Sequence, residues 1–453
     1  MLGGLLMELK ENKMESKSIL PLLLSMSIPA ILSMIIQSMY NIIDSMFVAQ
    51  LGNDALTAVS LAFPIQNILL GAAVGTGIGV NSLISRTLGE KNIDKSNTVV
   101  TYGLILGFIT WVAFLILGIL FIKPFFSMYT DSANILNLAT EYTNIVVYFS
   151  FGIIIHIIIE KILQGIGSMI YPMVFVLVGA IINIILDPVF IFSLDMGVRG
   201  AALATVISQM VSAIWVLRFL FGKKVLIPIQ MKHIRIQKEI TKDIFKLGTS
   251  NFIMAGTNCL VQVVCNFTLQ SYGGDIYVGI MTVANSVREI FNLPISGIIS
   301  GSQPVISFHY GAKEYKSVKS GIKFNTYVGA TYTMFAWLFV VLFPQFWFGM
   351  FSNDMQMMDS GVEMLKLYFF GFVFMAFQFA GQSTFQALGD AKHAIFFSLL
   401  RKAIIVVPLT IVLPMLGFGV AGVFMAEPIS NVIGGLASYI TMRMTVYKKL
   451  DVR

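Results

Sequence analysis

The residues able to carry chemistry in this chain are ionisable side chains set inside long apolar stretches. They are Asp44 in YNIIDSMFV, Glu160 in IIIEKILQG, Asp187 in NIILDPVF, the neighbours Arg288 and Glu289, and Glu427 beside Pro428. A charge held in hydrocarbon is costly enough that each such group is a functional candidate. Asp187 says the most. Asn183 precedes it by four residues, which puts both side chains on one face of a helix. Pro188 follows, cannot donate to the carbonyl of Ile184, and bends the helix there. A carboxylate, an amide and a spare carbonyl on one face suit Na⁺ or a proton; the competing reading is a kinked helix whose Asp bonds a neighbour. His156, Glu160 and Gln164 share a face at spacings of four. They read as a proton relay or a handle for cationic substrates, or else as a wet cavity wall. Arg288 and Glu289 cannot face each other as helix neighbours and read as residues that lock two lobes together. Glu427 reads as lining a cavity in the second half of the chain.

The elements that must hold these groups are membrane spans. The chain has 453 residues, 57% of them hydrophobic and 12% charged, and a mean hydropathy of +0.83. Soluble domains are about 45–50% apolar and about 25% charged, so an ordinary soluble enzyme is excluded. About 20 mostly apolar residues cross a bilayer. Twelve such runs are found, near 20–47, 58–85, 98–122, 142–162, 170–193, 198–221, 244–271, 278–307, 322–349, 364–387, 394–414 and 419–444. The first follows Lys10, Lys13 and Lys17 and is too long for a signal-peptide core, so it reads as a retained anchor.

Loop charge predicts orientation. The even-numbered connections carry Arg86, Lys91 and Lys95, then Lys161, then Lys223, Lys224, Lys232, Arg235, Lys238 and Lys242, then Lys313, Lys316, Lys319 and Lys323, then Lys392. The odd-numbered ones are acidic on balance, with Asp54, Asp131, Asp195, Asp275, Asp354 and Asp359 against Lys123, Arg199 and Lys366. Both termini are therefore expected inside. The net charge of +7 is a topology signal, and no nucleic-acid partner is expected. Cys259 and Cys265, in one apolar segment, read as reduced, buried thiols. There is no HExxH, Walker or CxxC pattern, and Gly71, Gly75 and Gly79 read as small-residue helix packing.

The chain repeats itself at an offset of 220–222 residues. Gly52-Asn53-Asp54 matches Gly273-Gly274-Asp275, Gly89-Glu90-Lys91 matches Gly311-Ala312-Lys313, and Gln164 and Gly167 match Gln386 and Gly389. Gly197, Gly200, Ala204 and Ser208 match Gly419, Gly422, Ala426 and Ser430. Four matches in one order indicate duplication. Six spans per half make the repeats parallel, a recurrent secondary-transporter design with the substrate path between the halves. The expected organisation is a cytoplasmic segment 1–18, a six-helix lobe 19–222, a cytoplasmic linker 223–242, a second six-helix lobe 243–445 and a cytoplasmic tail 446–453.

Several segments carry a resemblance. NIIDSMFVAQLG at 41–52, SRTLGEKN, LQGIG at 163–167 and NIILDPVFIFSLDMGVRGAALATVIS at 183–208 are similar to the multidrug and toxic compound extrusion (MATE) family, over nearly the whole chain and closest to its DinF/MepA-like bacterial branch. The resemblance implies an all-α, twelve-helix membrane protein in two pseudo-symmetric lobes. It implies export of cationic and amphipathic small molecules across the bacterial plasma membrane by H⁺ or Na⁺ antiport, with no other cofactor and no enzymatic activity, from a monomer. Family members join an Asp of span one, an Asn and Asp of span five and a Thr of span six around a cation; Asp44, Asn183, Asp187 and Thr205 match. Glu160 resembles a substrate-contact acid of that branch.

The repeat partners of Asp44, Glu160 and Thr205 are Cys265, Gln382 and Glu427. Coupling is therefore expected in the first lobe, with Glu427 dispensable. A related alternative is a lipid-linked oligosaccharide flippase, whose cavity would need several Arg or Lys; this reading places only Arg288 mid-span.

Overall fold

The computed structural model describes residues 13–16, 18–128, 132–220, 238–351 and 355–452. The expected linker 223–242 lies outside the described residues as far as 237, as do Asp131, Asp354 and residues 1–12 of the expected N-terminal segment. Among the described residues the fold is all-helical. Span one is Ile19–Ala49, span two Asn53–Gly89 and span three Ile93–Ser127. Span four is a bent pair, Ala133–Tyr148 and Phe151–Gly165, meeting at 46°. Span five, Ile170–Pro188, runs on into a wider π turn at Val189–Ser193, and span six is Gly197–Leu220.

Spans seven and eight form one run, Lys238–Gly311, broken at Gly274, whose φ is 71°. Span nine is Tyr315–Leu342 and span ten joins Met355–Phe369 to Met375–Leu388. Span eleven starts at Ala391–Leu399, loosens into a π stretch at Leu400–Val406 and resumes at Val407–Leu413. Span twelve, Gly419–Met442, follows a break at Gly417. Counted this way, the described residues contain the twelve spans read from hydropathy. Most extend beyond their apolar windows, and three of the described helices begin at a capping side chain, Asn92, Ser132 or Asp390. Asn92 Oδ1 accepts from Lys95 N at 3.0 Å, and Asp390 Oδ1 accepts from His393 N at 3.3 Å; each satisfies an otherwise orphaned first-turn donor.

The duplication is visible atom by atom. Lys91 and Lys313 are both left-handed, at φ 56° and 61°. Around them Asn92 N donates to Thr87 O, and Glu314 N donates to His309 O, each at 2.9 Å. Residues 222 apart thus close the same turn, although one reads GEKN and the other GAKE.

The chain forms two compact units. One is built on Ile28–Phe252, the other on Ser18–Ser27 with Ile253–Arg453. This corrects the expected boundaries: the first turns of span one go with the second unit, and those of span seven with the first. The cause is backbone-to-backbone packing at glycines. A Cβ on Gly75 would lie 2.7 Å from the carbonyl oxygen of Gly248, and a Cβ on Gly248 would lie 2.6 Å from that of Gly75. In the second unit a Cβ on Gly301 would lie 2.5 Å from Ser27 Cα, and Ser27 Oγ donates to Ile298 O at 3.3 Å. Gly79 and Gly301 are 222 residues apart and Ser27 and Gly248 are 221 apart, so an equivalent contact is made once in each unit.

Candidate functional site

In the first unit the helix approaching Pro188 buries Asn183 and Asp187 completely. Asn183 Nδ2 donates to Asp187 Oδ1 at 3.2 Å. The helix does not break at Pro188; it keeps helical angles there and widens into the π turn that follows. π turns often mark functional sites within helices. Asp44 of span one sits within hydrogen-bonding reach of Asp187. Tyr142 of span four lies in the field of both carboxyls, and Gln66 Nε2 donates to its hydroxyl at 3.3 Å. Asp44 Oδ1, Asp187 Oδ2 and Asn183 Oδ1 are buried without a hydrogen-bond partner.

Two facing carboxylates repel unless something positive stands between them. Three orphaned oxygens from spans one and five offer a hard cation its preferred ligand type, or offer a proton a place to be shared. Thr205 of span six is half-buried; its carbonyl accepts from Ser208 Oγ at 2.8 Å. Three of the four matched positions thus come together, and the Thr205 hydroxyl has no described bond to either carboxylate. Among the described residues no three His, Cys, Asp or Glu side chains converge as a metal site.

Glu160 is not free. Gln164 Nε2 donates to its Oε1 at 2.6 Å, Lys161 Nζ donates to Gln164 Oε1 at 3.0 Å, and Lys161 stands 3.5 Å from Glu160. Lys161, read from sequence as a loop charge, is buried within the span-four helix, its stem packed over Gly77 of span two. His156 and Glu160 line a cleft of about 40 Å³ with Gln37, Tyr40, Gly179 and Ala180. That space holds a few waters, well short of the 300 Å³ or more typical of drug-sized sites. Tyr40 also lies in the field of Asp44, so one side chain borders both the cleft and the carboxylate pair.

The second unit differs from its reading. Glu427 does not line an open cavity. Its Oε1 accepts from Lys402 Nζ at 2.8 Å, Arg288 Nη1 at 3.1 Å and Arg401 Nη1 at 3.3 Å, and its Oε2 accepts from Lys402 Nζ at 3.1 Å. Arg401 Nη1 also donates to Asn431 Oδ1 at 2.8 Å, and Ser430 Oγ donates to the Arg401 carbonyl at 2.7 Å. Arg288, expected to lock two lobes together, pairs instead with Glu427 inside its own unit. Arg401 and Lys402 were missed, though adjacent bases in LLRKAIIVV stand out in so apolar a run. The count of mid-span bases weighed against the flippase alternative is short by these two residues.

A duplicated twelve-span helical fold with charged groups buried in each half defines a multi-pass membrane transporter of the two-lobe kind. The chain belongs to the MatE family, whose model matches residues 29–189 and again 253–412. The multidrug export protein MepA of Staphylococcus saprophyticus is 26% identical over 96% of this chain and 97% of its own. MepA of Staphylococcus aureus is 24% identical, covering 94% of each. Among solved structures, an outward-facing conformation of a multidrug resistance MATE family transporter matches with a TM-score of 0.92, at 24% identity over 98% of this chain and 99% of that one.

Proposed function

We propose that this chain exports cationic and amphipathic small molecules, driven by inward flow of H⁺ or Na⁺ through the Asp44–Asp187 pair. The observation that carries the reading is the pair of facing carboxyls with three orphaned oxygens in spans one and five. A cation or proton arriving there cancels the repulsion, which favours a closer packing of spans one and five. Release on the opposite side restores it, and the two lobes rock between these states. One charge moving inward is worth about 2.3 kcal/mol per 100 mV, enough for an uphill substrate ratio of roughly 40-fold. The names of the staphylococcal relatives support multidrug export as the task. The basic bias of the even-numbered connections supports cytoplasmic termini, and external labelling of a Gln230→Cys variant in intact cells would refute that orientation.

The deciding experiment is flux in proteoliposomes loaded with a cationic dye, with Na⁺ and pH gradients imposed separately. Efflux driven by one of them is expected. Efflux with neither overturns the coupling reading.

A further inference from the structure

The charges buried in the second unit do not balance. Arg288, Arg401 and Lys402 converge on the single carboxylate of Glu427. Glu289, the other acid near them, is largely exposed and 3.8 Å from Arg288. Burying an uncompensated charge costs several kcal/mol, so a surplus of cations in a helix bundle calls for a further anion. The open position is at Arg288. Its Nη1 serves Glu427, while its Nε is buried without a partner and its Nη2 has only the long contact with Glu289. Its guanidinium carbon sits 5.5 Å from the ring centre of Tyr368, whose hydroxyl donates to Asn285 Oδ1 at 2.7 Å. The fork is thereby held in place. Its side chain is 17% exposed, against 9% for Arg401 and 3% for Lys402, so Arg288 is the accessible edge of the cluster.

The repeat shows that this charge is carried by one copy of the shared scaffold and not by the other. A Cβ on Gly179 would meet Ser212 Oγ and the carbonyl of Ser208. In the other unit Arg401 packs on Gly434 and bonds Ser430. Each of these positions is 222 residues from its counterpart. Where the first unit has Gly179 and Ala180 beside a water-sized cleft, the second has Arg401 and Lys402. Gln66 corresponds in the same way to Arg288.

We infer that the second unit holds an oxyanion site, in which the Nε–Nη2 edge of Arg288, backed by Arg401 and Lys402, takes the carboxylate or phosphate of an amphiphilic substrate. A planar fork engages such a group through two parallel hydrogen bonds, which a lysine cannot reproduce. The inference deepens the exporter reading and rests on it for the amphiphilic character of the ligand. The substrates it selects carry an acidic group beside their apolar body.

The test uses the purified full chain in detergent, without any ion gradient, so that failure of cation coupling leaves its result untouched. Fluorescence anisotropy compares rhodamine 110, which has a free carboxylate, with its methyl ester. The carboxylate form is expected to bind about tenfold more tightly, a difference of about 1.4 kcal/mol. Arg288→Gln is expected to remove that preference and Arg288→Lys to restore part of it, with size-exclusion profiles confirming that both variants fold. Hexyl phosphate and dihexanoyl phosphatidate serve as competitors. Displacement by both supports a site open to solutes, and displacement by phosphatidate alone supports one that takes a lipid phosphate. Equal affinity for the two dyes with no displacement by either phosphate overturns the inference, as does a preference that Arg288→Gln leaves intact.

Discussion

The two units share turns, glycine contacts and helix order, yet their buried charge has opposite sign. In the first, Asp44, Asp187 and Glu160 are set against Lys161; in the second, Arg288, Arg401 and Lys402 are set against Glu427. Duplication preserved what the backbone needs, because a changed turn or helix crossing disturbs the whole bundle. Single side chains lining its interior were freer to diverge. The state of satisfaction differs as well. Asp44 and Asp187 of the first unit leave oxygens without partners, whereas Glu427 of the second accepts four hydrogen bonds. An under-satisfied carboxyl pair is poised to accept something. A carboxylate ringed by cations holds its surroundings together.

The largest effect expected from this contrast is on folding. Glu427→Gln leaves three buried cations without a carboxylate, and breaking a buried pair this way costs about 3–5 kcal/mol. The sequence reading of Glu427 as dispensable is thereby reversed. Yield of monodisperse protein and its melting temperature should both fall sharply. Asp187→Asn and Asp44→Asn should do the opposite to stability, since each removes one of two repelling charges, while abolishing gradient-driven export. A well-folded Glu427→Gln protein beside collapsed Asp variants would invert the comparison.

A smaller effect probes what the units have in common. Gly79 lies against the Ile244 carbonyl and Gly301 against the Ser27 backbone, with no room for a Cβ at either place. Gly79→Ala and Gly301→Ala each force two helix backbones apart, at about 1–3 kcal/mol for overpacking of this kind. Equivalent contacts predict similar losses of melting temperature. A loss at one site and none at the other would show that the shared crossing supports only one unit.

Much of this was legible beforehand. Apolar runs of membrane length and in-order repeat matches carried the twelve spans and the duplication. The Asn183–Asp187 pair was legible because a spacing of four fixes a helix face whatever packs against it. The exchange of helix starts was not, since nothing local in Ser18–Ser27 says which partner it meets; that depends on Gly301, some 270 residues away. Lys161 was misread because a basic residue at the end of an apolar run looks like a loop charge until Gly77 and Gln164 are seen to receive it. Arg401 and Lys402 were passed over, although two adjacent bases in so apolar a run could have singled them out. Their grouping about Glu427 was not legible, since the three residues come from spans eleven and twelve.

The smallest expected effect concerns Glu160, and it tests whether the surplus acid of the first unit bears on substrate. The Glu160 side chain is 20% exposed and shares its charge with Lys161 at 3.5 Å through Gln164. A partly solvated ion pair contributes about 0–1 kcal/mol, so Glu160→Gln should leave the melting temperature nearly unchanged. The cleft beside it has room for water and none for a drug-sized body in this conformation, so any pull on a cationic substrate acts through space. An attraction of about 1 kcal/mol corresponds to a several-fold change in affinity. Export of a cationic dye should therefore weaken several-fold, and export of a neutral amphiphile should hold steady. Freed of its acid, Lys161 also lowers the negative surplus, which acts in the same direction. Equal losses for the two dyes would remove Glu160 from substrate selection and leave the first unit's acids to coupling alone.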